Sequence, residues 1–185
     1  MDLPANGFGG VSFRRGKKPI IAAVQGACYG GGCEMAVNCD MIVASASAKF
    51  GLPEVKRGVT PFGGALPRLT AIAGRQRATE MALTGRPVTA HEFKEWGVCN
   101  IVVDNDEEVV RRAVELAHSV AENSPDAVII TREGLQMGHA NLGVDLASRV
   151  FLEGWSRRIY DTGNMQEGLD AFIEKRAPNW RDSKL

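Results

Sequence analysis

The sequence predicts an α/β fold with parallel strand pairing and a helical C-terminal region. Three observations carry this. Two short, continuous apolar runs at 20–24 and 40–44 have the β-branched content of strands buried on both faces. Segments of helical periodicity lie between and after such runs, and strands joined by helical crossovers pair in parallel. From residue 106 onward the pattern is helical almost throughout.

Residues 1–16 read as a Gly/Pro/Asn loop ending in the basic group Arg14, Arg15, Lys17 and Lys18, either a solvated charge cluster ahead of a strand or a contact for an anionic ligand. Pro19 and Gly26 bound the first strand. A glycine-rich turn over 26–32 leads into a short apolar segment at 33–37. The second buried strand, 40–44, is followed by a short third at 49–51. Prolines and glycines make 52–64 an ordered loop. Helices follow at 65–73 and 75–83, separated by Gly74 and closed by Gly85. Thr89 with Glu92 three residues on forms a capping box for a helix ending at Gly97. A strand over 98–103 comes next. The helix at 106–122 is expected to place Val109, Val110, Ala113, Val114, Ala117, Val120 and Ala121 on one face. Ser124-Pro125 opens another helix, a further one runs from about Leu142 to Tyr160, and the last spans 165–176. That last helix is expected to bury Met165, Leu169, Phe172 and Ile173 and to end on Lys175 and Arg176.

Composition removes several classes of function. Lys plus Arg and Asp plus Glu both number 22 in 185 residues, so net charge supplies no attraction to nucleic acid or to an anionic membrane. No apolar run reaches the roughly 18 residues that span a bilayer. Cys28, Cys33, Cys39 and Cys99 show no C-x-x-C spacing, so no metal site is expected. His91, His118 and His139 accompany neither a G-x-S-x-G elbow nor a nucleophile-like cysteine.

Chemistry concentrates early in the chain. Gly30, Gly31 and Gly32 sit between a strand and a helix, where glycine serves a tight turn or lets a ligand approach backbone N–H groups. The spacing matches neither G-x-G-x-x-G nor a P-loop. Glu34 stands inside an apolar segment, where an acid is costly to bury without a role or partner. Glu54 follows twenty residues later in a second ordered loop.

The run KPIIAAVQGACYGGGCEMAVNCDMIVASASAKFGLPEVKRG resembles the signature of the enoyl-CoA hydratase/isomerase (crotonase) family, and GGALPRL, ATEMALTGRPVTAHEFKEWGVCNIVV and EGLDAFIEKRAPNW extend the resemblance. It implies a spiral of ββα turns, incomplete at the N-terminus, with C-terminal helices that pack into trimers or hexamers. It implies an acyl-CoA thioester substrate, with coenzyme A entering as part of that substrate and no separate cofactor. Carried over by position, Gly31 would offer an oxyanion-hole N–H. Glu34 and Glu54 would hold the water and exchange protons at the α and β carbons. Gly30, Pro61, Phe62 and Gly63 would border the substrate, and Phe172 and Lys175 would meet the CoA nucleotide. The resemblance divides the chain into a loop-like segment at 1–16, a core at 17–123, a helical trimerisation region at 124–182 and a tripeptide at 183–185.

Two departures from the pattern stand out. Family members carry βα elements ahead of the Lys-Pro strand, including the other half of the oxyanion hole, so Met1 is expected to be internal to a longer protein. Phe62 stands where many hydratases have glycine, and an aromatic there reshapes the acyl pocket or turns into the core. Three readings remain open: an enoyl-CoA hydratase, an isomerase or other reaction of the same family, and a non-catalytic acyl-CoA-binding fragment. The tripeptide Ser183-Lys184-Leu185 is the sequence read by the peroxisomal import receptor, which points to the peroxisomal matrix.

Overall fold

The alternation of short strands with helices is what organises the molecule. The computed structural model describes residues 4–139 and 143–185. Its chain divides into two compact units, Met1–Glu115 and Leu116–Leu185.

In the first unit, β1 (Ile21–Val24) and β2 (Ala27–Tyr29) precede α1 (Gly31–Asn38), and β3 (Met41–Ser45) and β4 (Lys49–Gly51) precede α2 (Ala65–Ala73). The second turn of chain lies beside the first. Strand β3 pairs with β1 in parallel, Ile21 opposite Met41, and β4 pairs with β2 in parallel, Ala27 opposite Lys49. Helix α3 (Arg75–Thr84), β5 (Val88–Thr89), α4 (Ala90–Glu95) and β6 (Ile101–Val103) complete the unit. The sheets are β1-β3-β6, all parallel, and β2-β4-β5, whose last pair is antiparallel.

Most of the expected strands and helices of this unit appear, the strand expected at 98–103 being shortened to β6, and there are two additions. The sequence carries no strand signal at β2 or β5; at three and two residues they are too short to show a period of two. The burial expectation for β1 fails: Ala23 is exposed and its neighbours are half-buried. Among the described strands β1 lies at the edge of its sheet, and the strand buried throughout most of its length is the central β3. Residues 1–3 lie outside the described residues. The rest of the segment expected to be loop contains a 3-10 turn at Phe8–Gly10.

Packing fixes the geometry. Phe50 on β4 stacks on Phe93 of α4 with ring centroids 4.3 Å apart, and Trp96 tilts against Phe93. Ile42, Leu52, Leu69, Met81 and Val88 fill the rest of this core. The α4 capping box is complete: Thr89 Oγ1 accepts from Glu92 N–H, and Glu92 Oε2 accepts from Thr89 N–H.

Helix α5 (Glu108–Ala121) runs across the division between units. Its apolar residues form two adjacent stripes, and only one is covered. Val109 and Ala113 are buried and Leu116 and Val120 half-buried, whereas Val110, Val114, Ala117 and Ala121 are exposed, which corrects the single-face expectation.

The second unit holds α6 (Pro125–His139), α7 (Val144–Val150) and α8 (Asn164–Glu174). The helix expected from Leu142 begins outside the described residues. Past that point the chain forms α7, a π turn at Phe151–Trp155 and a 3-10 turn at Ser156–Asp161. Helix α8 also overturns an expectation. Its covered face is Asn164, Met165, Gly168 and Ala171, with the Trp180 ring of the returning tail against Gly168. Leu169, Phe172 and Ile173 therefore point outward, Phe172 at 84% exposure. Among the described residues no helix is long and apolar enough to cross a membrane.

Candidate active site

The site is built where two loops of the first unit meet the start of α1. Gly30, at φ 55, turns the chain from β2 into α1 in a backbone region that disfavours side chains. Its N–H donates to Gly51 O at 2.9 Å, which ties the glycine turn to the end of β4. Gly31 is the first residue of α1, so its N–H is among the first-turn donors that find no acceptor within the helix. Those donors and the helix dipole favour negative charge at this end.

Glu34, one turn in, is 4% exposed. Its Oε1 accepts from Ala65 N–H at 3.4 Å, where α2 begins. Gly63 comes so close that a β-carbon there would lie 2.5 Å from Glu34 Oε2. Burial pushes the Glu34 carboxyl above its ordinary value and the charge of Glu54 adds to this, while backbone bonds from Ala65 and Gly63 and the Arg68 cation oppose it.

Glu54 is set by the 3-10 turn Pro53–Arg57, with Pro53 pre-shaping its first position. Its Oε1 lies 3.2 Å from where a β-carbon on Gly30 would stand, so it faces the glycine turn. Its Oε2 is buried and finds no hydrogen-bond partner among the described residues. Cys33 registers both acids: fully buried, its thiol is pushed well above its ordinary value by burial first, with the charges of Glu54 and Glu34 adding to it. The two acids and the α1 N-terminus thus converge.

Of the loop residues expected at the site, Pro61 and Gly63 are buried, and Phe62 between them is 51% exposed, out of the core. Phe172 and Lys175 belong to the second unit. Phe172 is on the uncovered face of α8, and Lys175 is its C-cap in the left-handed region at φ 56. Ser183 and Leu185 are half-buried and Lys184 is exposed. Two residues at the site are not singled out by the sequence. The Phe8 ring lies directly over Gly31, and nothing in Gly-Phe-Gly-Gly announces it. Arg68 stands beside the Glu34 loop, and its only signal is its presence in GGALPRL.

The comparisons with known proteins bear on the chain as a whole. The model of the enoyl-CoA hydratase/isomerase family covers residues 11–183. The chain belongs to the enoyl-CoA hydratase/isomerase family. A mevalonyl-coenzyme A hydratase of Beauveria bassiana is 53% identical over 97% of this chain, and one of Aspergillus fumigatus is 47% identical over all of it. The chain spans 64% and 68% of those two proteins' lengths. The crystal structure of an enoyl-CoA hydratase from Mycobacterium marinum superposes with TM-score 0.89 at 33% identity, covering 97% of this chain and 72% of that one. An enoyl-CoA hydratase from Mycobacterium tuberculosis gives TM-score 0.90 at 32% identity, with 97% and 69% covered. The crotonase fold expected from the sequence is the fold observed.

Proposed function

We propose that this chain carries the acid–base centre of a hydro-lyase that interconverts a 2-enoyl-CoA thioester and its 3-hydroxyacyl counterpart. The observation that carries the reading is the convergence of Glu34 and Glu54 on the α1 N-terminus. In hydration, one carboxylate takes a proton from water as its oxygen bonds the β carbon, and the other, protonated, gives its proton to the α carbon. Burial disposes Glu34 to hold a proton. The electron pair displaced toward the thioester oxygen is met by the Gly31 N–H, and one such donor is worth about 3–4 kcal/mol of barrier. The similarity to two mevalonyl-CoA hydratases makes a mevalonyl-type 3-hydroxyacyl-CoA the first substrate to test. Coenzyme A enters only as part of it.

In the test, the chain is supplied with mevalonyl-CoA, with crotonyl-CoA and with a 3-enoyl-CoA, and the conjugated thioester is followed by absorbance. Turnover is expected, and Glu34→Gln or Glu54→Gln should lower it by about 10²–10⁴-fold. Near-normal rates in either variant would remove that acid from the mechanism. Migration of a 3-enoyl double bond without hydration would favour an isomerase, and binding without turnover a non-catalytic acyl-CoA binder.

Two further proposals concern the second unit. The outward stripe Leu169, Phe172 and Ile173 supports a trimeric or hexameric assembly in which Phe172 and Lys175 reach the CoA nucleotide; a monomer in sedimentation at all concentrations would remove it. The ending Ser183-Lys184-Leu185 supports the import receptor as partner and the peroxisomal matrix as address.

A further inference from the structure

Arg68 lies in the first turn of α2 and is half-buried. Its Nη1 donates to Gly64 O at 3.0 Å and Gly63 O at 3.4 Å, and its guanidinium carbon stands 5.9 Å from the Phe13 ring centroid. The same short strip of backbone faces Glu34 with its other side. Gly63 abuts the carboxyl, and Ala65 N–H bonds it. Gly64 between them is held at φ 88.

We infer that Arg68 is a positioning residue for Glu34, tying down through the Gly63 and Gly64 carbonyls the backbone strip against which that carboxyl rests, and setting a cation beside it. The inference rests on the acid–base role of Glu34 proposed above. A guanidinium suits the work, because Nη1 carries two N–H groups and can serve both carbonyls from one end of the side chain. The charged and titratable groups facing Glu34 are Glu54 from the Pro53–Arg57 turn, Arg68 from α2 and Cys33 from α1 itself, while Arg15 of the N-terminal segment faces Arg68. Within that set Arg68 supplies the positive charge acting on Glu34, opposing burial and Glu54. Its removal therefore does two things: the strip loosens, and the proton on Glu34 is held more firmly.

The experiment uses the whole chain with ¹³C-labelled glutamate carboxyls, the Glu34 resonance being assigned by its loss in Glu34→Gln. Arg68→Met should move the Glu34 titration midpoint upward and lower kcat on mevalonyl-CoA by about 10–100-fold, with KM changed less than about threefold. Arg68→Lys, which keeps the charge but shortens the side chain and moves its donors, should return the midpoint and only part of kcat. Should Arg68→Met not fold, Arg68→Gln, which keeps a donor for the carbonyls without the charge, gives the same midpoint reading. An unmoved midpoint in the folded neutral variants overturns the inference. The titration reads Glu34 even in a chain that turns nothing over, so a wild type without hydration would count against the proposed function and leave the Arg68 test decisive by itself.

Discussion

A methyl group at position 63 would have to share space with the Glu34 carboxyl, the acid proposed for proton transfer. A β-carbon on Gly63 would stand 2.5 Å from Glu34 Oε2 and 2.7 Å from its Cδ. Those atoms are the far end of a flexible side chain, so the collision is relieved by swinging the carboxyl aside rather than by deforming the backbone. Stability and activity should therefore separate. Gly63→Ala is expected to melt within a few degrees of wild type while losing about 10²-fold in turnover, the penalty of misplacing a catalytic group by about 1 Å. Thermal melts and kcat on the same preparations check this. A variant fully active at normal stability would mean that the carboxyl need not stand where Gly63 puts it. Phe62 next to it behaves otherwise. It is exposed, and the need for glycine falls on its neighbours, on 63 for lack of a side chain beside Glu34 and on 64 for its backbone at φ 88, so an aromatic is accommodated at 62.

At the scale of elements, the capping box at α4 shows a local sequence rule deciding local structure. Thr89 and Glu92 satisfy each other's backbone donors and start α4 directly after β5, placing Phe93 against Phe50. Thr89→Ala should cost about 1 kcal/mol of unfolding free energy with little effect on turnover. Denaturant titration measures it, and an unchanged midpoint would mean that core packing alone fixes the helix start. Rules of this kind make much of the fold legible: α2 is bounded by its flanking glycines, and β3 and β4 by apolar content. The features that escape are set by distant partners. The strands β2 and β5 exist because β4 lies between them. The outward stripes of α5 and α8 have the right period but no cover within the described chain, and periodicity reports a face without saying what meets it. Glu34 and the glycine turn are legible because burying a carboxylate and clustering glycine both break local rules, whereas Glu54 is legible only from its place in the ordered loop and the family resemblance. Arg68 and Phe8 break none, so only geometry brings them to the site.

On the scale of the whole molecule, the C-terminal tail is held to its unit by specific bonds up to a definite point. Glu167 accepts two bonds from the Arg176 guanidinium and one from Asn179 N–H, which hold its carboxyl down at about 2, ionised through the physiological range. Trp180 donates to Glu122 O at 2.8 Å. Asn164 both accepts from Arg181 N–H and donates to its carbonyl, at 2.9 and 3.0 Å, and its amide also donates to the buried Asp126. After Arg181 the hydrogen bond found among the described residues is local, from Leu185 N–H to Ser183 Oγ. Four residues, fully extended, span at most about 13 Å, which sets how far the tripeptide could be drawn out to a receptor while Arg181 stays anchored. If the tripeptide is the address, blocking it should abolish transport without touching the fold. A chain extended past Leu185 by a short polar peptide is expected to stay in the cytosol and to keep wild-type melting and turnover. Import of the extended chain at the normal level would place the address elsewhere, and loss of stability on extension would show that the last residues belong to the folded unit.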